Sequence, residues 1–225
     1  MKHRRDDSLA RLKVCDKVRG LKRGHLYVIE GPDGVGKTTL ALGLVRALSS
    51  TGRESCYVSF PGKAGGSLGK VVYDLHHGRG QFRLSHLNQT SLQILHIAAH
   101  IDLIDGQIKP KLNKGVNVVL DRFWWSSVVY GRIFGANRSS LELLAELELL
   151  HWDSVMPAVA FLITRSKPIG LKKNRTWEGL RREYVRIART ERDKYPVQVV
   201  RNETSICKAQ LEMRRTISQI QDHDQ

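Results

Sequence analysis

Glu30-Gly31-Pro32-Asp33-Gly34-Val35-Gly36-Lys37-Thr38-Thr39 decides the fold of this 225-residue chain. From Gly31 to Thr38 it spells Gly-x-x-x-x-Gly-Lys-Thr. The apolar run Leu26-Tyr27-Val28-Ile29 stands before it, and residues 39–48 after it have helical character. A strand, loop and helix in this order wrap a polyphosphate with backbone N–H groups. Gly31 and Gly36 permit close approach and unusual backbone angles. Lys37 is placed to reach the β- and γ-phosphates, and the Thr38 hydroxyl to ligate Mg²⁺. Asp33, Gly34, Val35 and Thr39 complete the expected ATP-binding loop.

Outward from the loop, strands alternate with helices. The first strand is expected over 25–30, almost continuously apolar, as a strand covered on both faces should be. A helix runs to about Ser50, a second strand over 55–60, and a helical segment over 68–77. Leu92, Leu95, Ala99, Leu103 and Ile108 fall at helical spacing within 85–112, with Ser91 as a cap and Lys114-Gly115 as the stop. A third buried strand is expected over 116–120 and a helix from near Ser126. Another helix opens at Ser139-Ser140, with Glu142 completing a capping box and Leu143, Leu144, Leu147 and Leu150 giving an apolar face. A fourth strand over 158–163, a basic stretch over 165–175, a helix over 177–193, a fifth strand over 197–200 and a helix over 204–221 complete the chain. The pattern predicts an α/β fold: a five-stranded parallel sheet with helices on both faces.

Length and composition fit one domain, residues 23–225, behind a basic extension, 1–22. In the extension Leu9, Leu12, Cys15 and Val18 recur at three-residue spacing, as in a short amphipathic helix; a frayed basic tail is the other reading. Formal net charge is +15, from 37 Lys+Arg against 22 Asp+Glu, which favours anionic partners. Small-molecule nucleotides are the expected ones. Nucleic acid is not, since no zinc-finger spacing or aromatic RNA-binding signature occurs, although the charge leaves that class open. Cys15, Cys56 and Cys207 are too scattered for a disulfide framework and fit a reducing compartment. No apolar run is long enough to span a bilayer. The start has no apolar signal core, and Asp6, Asp7 and Asp16 argue against a transit peptide, so a cytoplasmic location is expected.

The third strand ends in Asp121-Arg122-Phe123, at the strand end where open α/β sheets bind ligands. Asp121 is placed to hold Mg²⁺ or its water, and Arg122 to fork onto a phosphate. With these residues the chain resembles the thymidylate kinase family of P-loop nucleoside monophosphate kinases, over about residues 25–220. The phosphate loop with its Asp33 matches, as does Asp121-Arg122-Phe123 with Ser126, Tyr130 and Gly131 downstream. Phe60-Pro61-Gly62 is similar to the loop lying over the acceptor. Ile108-Lys109-Pro110-Lys111-Leu112 and Arg175-Thr176-Trp177-Glu178-Gly179-Leu180 are similar to further family segments.

The resemblance implies a three-layer P-loop NTPase fold with a short basic lid, about 164–177. It implies phosphoryl transfer from ATP to the 5′-phosphate of a deoxynucleotide with Mg²⁺, and a homodimer. Lys37 and the loop amides would hold the donor, Thr38 and Asp121 the metal. Arg122 would clamp the acceptor phosphate, with Asp33, Phe60, Lys63 and Tyr130 around the acceptor. Gly34 carries no charge, so the lid is expected to supply the transfer-site cation, from Lys172, Lys173 or Arg175. The stretch 201–205 lies where the family holds the adenine. At the base-stacking and base-reading positions the chain has Ile97 and Ile101, with His96, His100 and Gln93 nearby, so it departs from the family's aromatic and arginine. Two other readings remain: a kinase of this scaffold acting on another small acceptor, and an ATP-binding regulatory protein without turnover.

Overall fold

The computed structural model describes residues 23–78, 82, 86–203 and 205–223; the N-terminal extension and its expected helix lie outside these. Five strands form one parallel sheet: β1 (Leu26–Glu30), β2 (Ser55–Ser59), β3 (Asn117–Asp121), β4 (Val159–Thr164) and β5 (Val197–Arg201), in the order β2-β3-β1-β4-β5. β1 lies at the centre with every residue buried. Its register sets Ile29 beside Asp121 of β3, and that of β2 sets Ser59 beside the same residue. The chain first runs from β1 to β2, leaving the slot that β3 fills, and only later reaches β4. The loops after β1 and β3 therefore meet at the carboxyl edge, at the topological switch point.

Alternation along each strand builds two cores. Leu26, Val28, Val118, Leu120, Ala160 and Leu162 face one side. There they pack on α3 (Gln89–Leu103), α5 (Trp124–Ile133) and α7 (Arg175–Glu191) through Leu103, Trp125, Val129, Leu180 and Tyr184. Tyr27, Ile29, Val119, Phe161 and Val200 face the other side, against Leu40 and Leu44 of α1 (Lys37–Ser49) and Ala209 and Met213 of α8 (Ile206–His223). Each such side chain contributes about 1.5–3 kcal/mol on burial. α2 spans Leu68–His77 and α6 Arg138–Trp152.

Helix starts differ from the expected ones in informative ways. Asn88, not Ser91, caps α3 by accepting from the Thr90 amide at 2.8 Å. Asn137, not Ser139, caps α6 by accepting from the Ser140 amide at 2.9 Å, while Glu142 pairs with Arg138 instead. Asn and Ser cap about equally well, so residue type alone does not place the start. The helix expected from Ser126 begins two residues earlier, at Trp124. The long helical stretch is not one helix: α3 passes through a π-turn, Ile104–Ile108, into the short α4 (Lys109–Asn113). Pro110 has no N–H for the ladder, and a widened turn before it absorbs the loss. On α6 the leucine stripe faces outward, with Leu143 66% and Leu150 76% exposed; Leu141, Glu148 and Trp152 face inward.

Candidate active site

The loop between β1 and α1 has Gly31, Gly34 and Gly36 at positive φ (142°, 80° and 90°), the region that glycine occupies without penalty. Lys37 is the first residue of α1. It is 6% exposed, and its Nζ donates to the Pro32 carbonyl at 2.9 Å across the loop. Burial first, then Arg122, pushes its ammonium down to about pKa 8, against the pull of Asp33, Asp121 and Glu30. Thr38 Oγ1 donates to Asp121 Oδ2 at 2.6 Å, and Tyr57 on β2 donates to the same oxygen at 3.0 Å. Asp121 Oδ1 is buried and has no partner among the described residues. An orphaned carboxylate oxygen beside a hydroxyl is a hard-oxygen set that suits Mg²⁺.

Arg122 takes a positive φ of 78°, unusual for a residue with a side chain. Its Nη2 donates to Asp33 Oδ1, and its guanidinium lies over the Tyr130 ring, 5.3 Å from the centroid. Tyr130 donates to Asp33 Oδ2 at 2.6 Å. Burial alone would raise the Asp33 carboxyl, but Arg122, Lys37 and Tyr130 bring it down to about 2. Asp33, Lys37, Arg122 and Tyr130 are thus brought together, with Lys37 Nζ 3.7 Å from Asp33.

Beneath this cluster lies Glu30, fully buried at the end of β1. Its carboxylate accepts from the amides of Phe123 (2.8 Å) and Ser126 (3.0 Å), the Ser126 hydroxyl (2.8 Å) and the Gly31 amide (3.3 Å). Sequence reading placed Glu30 in the motif but gave it no task. A carboxylate at the end of a wholly buried strand was the available signal, because a buried charge needs partners. Tyr184 was also missed, and Asn202 was named only as part of the stretch 201–205. Asn202 donates to the Val35 carbonyl at 2.8 Å, so the stretch after β5 reaches the loop; Thr204 lies outside the described residues.

The segment before α7 rests on the loop. The Ile169 amide donates to the Gly34 carbonyl at 2.7 Å, and Trp177 Nε1 to the Asp33 carbonyl at 2.8 Å. A Cβ at Gly34 would lie 2.8 Å from Pro168 Cβ, so this position has no room for a charged side chain. Lys172, Lys173 and Arg175 are exposed; Lys173 pairs with Glu178 at 3.2 Å.

On α3 the acceptor-side positions are largely buried. Ile97 is 2% exposed and offers no free face; Ile101 is half-buried. Helical spacing instead turns His96 and His100 together. The His100 ring stacks on Phe60, with centroids 3.9 Å apart and planes at 11°. Its Nδ1 lies 2.8 Å from Glu148 Oε2, and Trp152 donates to Glu148 Oε1 at 3.3 Å. His96 contacts His76 at 3.2 Å. Burial first, then His100, His76 and Arg122, drives the His96 pKa down to about 3. Lys63 is exposed, with its ammonium 4.5 Å from the Tyr73 ring centroid.

A family model described as Thymidylate kinase matches residues 29–219. The chain belongs to the thymidylate kinase family. It is therefore a thymidylate kinase-like phosphotransferase of the nucleoside monophosphate kinases, a family that uses ATP as donor, generally with Mg²⁺. A thymidylate kinase of Bartonella henselae is 31% identical over 193 residues, covering 85% of each chain. One of Chlamydia muridarum is 25% identical over 206 residues, 84% of this chain and 98% of its own. The solved thymidylate kinase of Ehrlichia chaffeensis superposes with a TM-score of 0.69 at 24% identity, over 87% of this chain and 99% of that one. That likeness shows the P-loop NTPase fold of the family. Among the described residues no helix is long and apolar enough to cross a membrane.

Proposed function

We propose that this kinase transfers the γ-phosphate of ATP to the 5′-phosphate of a (deoxy)nucleotide, with dTMP the leading acceptor. One observation carries the reading: Arg122, at the end of β3, contacts Asp33 inside the phosphate loop beside Lys37. Two phosphate-binding cations from adjacent strands thus flank one space. Phosphoryl transfer needs charge neutralisation and in-line positioning more than covalent chemistry. Lys37 and the loop amides grip the donor phosphates. Arg122 presents the acceptor phosphate through its fork, and Asp33 and Tyr130 orient that fork. Thr38 and Asp121 would hold Mg²⁺, which when bound offsets charge on the donor phosphates.

His96, half-buried on α3, meets the acceptor base, with Phe60 and His100 buried behind it. Burial holds His96 neutral, so it reads by stacking or hydrogen bonding rather than by charge. The cation for the transfer site comes from the lid, at Lys172, Lys173 or Arg175, because Gly34 has no space for one. The outward stripe Leu143, Leu147 and Leu150 supports a homodimer through α6, since exposed apolar patches mark contact surfaces. The free thiols of Cys56 and Cys207 support a cytoplasmic location.

A coupled ADP-release assay across nucleoside monophosphates and nucleosides tests the reading. ADP release that depends on a monophosphate is expected, strongest with dTMP. Release with nucleosides alone would move the enzyme to another acceptor of the same scaffold. ATP binding with no turnover on any acceptor would overturn the kinase assignment.

A further inference from the structure

Glu30, Ser126 and Tyr184 form a buried polar group that the reaction scheme above does not use. Their hydrogen bonds have a direction. Ser126 has one hydroxyl proton, and it goes to Glu30 Oε2 at 2.8 Å. With that proton committed, the oxygen has lone pairs for two further donors. Arg122 Nη1 lies 3.2 Å from it, and Tyr184 OH lies 2.8 Å from it. The chain of donors therefore runs from Arg122 and Tyr184 into Ser126 and from Ser126 into Glu30. Both Glu30 oxygens take two donors each, so the site suits a carboxylate and has no vacancy for an amide N–H.

The same carboxylate fixes the backbone. It holds the amides of Phe123 and Ser126, immediately after Arg122, whose φ of 78° demands outside support. We propose that Glu30 is a positioning residue for Arg122. It holds the turn over 122–126 and sets the Ser126 proton so that the serine oxygen, as acceptor, aims the guanidinium at the acceptor phosphate. Glu30 touches neither substrate nor reacting atoms. Its effect passes through Ser126. This inference rests on the assignment of Arg122 to the acceptor.

The test compares the wild type with Glu30→Gln, Ser126→Ala and Tyr184→Phe, using dTMP and a β,γ-imido analogue of ATP. The Glu30→Gln change would direct an amide N–H₂ at Ser126 and compete with Arg122 for its oxygen. In Glu30→Gln and Ser126→Ala the KM for dTMP is expected to rise about tenfold or more, while affinity for the analogue stays within about threefold. Tyr184→Phe leaves the path from Arg122 to Glu30 in place, and its dTMP KM is expected to stay within about threefold of wild type. A merely structural role would move dTMP and analogue together, and that result overturns the inference. Should Glu30→Gln fail to bind the analogue, Ser126→Ala decides, since it keeps the carboxylate; an unchanged dTMP KM there is equally fatal. Absent wild-type turnover on every monophosphate sinks the kinase reading, and this inference with it. Wild-type turnover with unmoved variants sinks this inference alone.

Discussion

Arg122 and Asp33 come from loops 89 residues apart in sequence, yet the guanidinium donates directly to the carboxylate. The contact ties the arm that would hold the acceptor to the loop that would hold the donor. Arg122→Lys keeps the charge and loses the planar fork, since lysine is a point charge. Its kcat/KM for dTMP is expected to fall about 10–100-fold, with affinity for ATP analogue little changed. Steady-state kinetics varying each substrate in turn checks this.

In the proposed reaction Lys37 and Asp121 serve the donor side. Lys37→Ala should cost on the order of 10³-fold or more in turnover, because a preorganised cation facing developing phosphate charge is lost. Removing divalent metal with EDTA should abolish turnover, and Mg²⁺ should restore it. Asp121→Asn, which swaps an acceptor oxygen for a donor, should raise the Mg²⁺ concentration needed for half-maximal rate by about tenfold. Metal titrations on both proteins measure this.

His100 is held between Phe60 and Glu148, buried beneath the face that α3 would present to the acceptor. His100→Ala is expected to lower kcat/KM for dTMP by about tenfold and to narrow the gap between dTMP and other monophosphates, since a site built for polar readout discriminates through it. Glu148→Gln, which frees the ring, should give a smaller loss in the same direction. Competition assays with monophosphates of different bases measure both. An unchanged preference order in both variants would remove His100 from base reading.

Two limbs are expected in the pH profile of kcat/KM, from the free enzyme's groups. Burial lifts Glu30 to about 7, against Arg122, Ser126, Phe123 and Lys37. The groups facing it are Gly31 and Lys37 of the loop, Arg122, Phe123 and Ser126 after β3, and Tyr184 of α7, with Tyr195 before β5. Activity should rise through about pH 7 as the carboxylate forms, and fall above about 8 as Lys37 loses its proton. The stability contribution of Glu30 has the opposite sign. Its folded pKa lies above the ordinary value of 4.5, so the folded state holds the extra proton between the two, and this contribution is lost as pH rises through about 7. Glu30→Gln should delete the lower limb and that slope in thermal melts.

The fold was legible because its signals are local. β1 is apolar throughout, the glycines of the phosphate loop fall at fixed spacing, and Asp121-Arg122 closes a buried run. Helix starts were less legible, since Asn88 and Asn137 offer the same kind of cap as the serines downstream. The α6 stripe was legible as an apolar face, but periodicity does not say what that face meets, and it meets solvent. For the site, Lys37, Thr38, Asp121 and Arg122 could be named from motif and strand end. Ile97 and Ile101 were named from the family resemblance alone, which gives positions along α3 but not how deeply each is buried. The meeting of Glu30, Ser126 and Tyr184 was beyond reach, because it depends on how β1, α5 and α7 are stacked.

The π-turn at Ile104–Ile108 has a bearing on the whole acceptor side. Each α-helical residue rotates the chain by about 100°, so one residue added to a turn re-phases everything on one side of it against the other. α4 is anchored by Leu112 in the core, and the widened turn sets the azimuth at which α3 leaves that anchor. Winding the same residues as plain α-helix, with none removed, would spin the histidine face of α3 by about 100° from Phe60 and Arg122. The direction in which α3 presents His96 and His100 is thus partly written as a screw angle, in the five residues Ile104–Ile108.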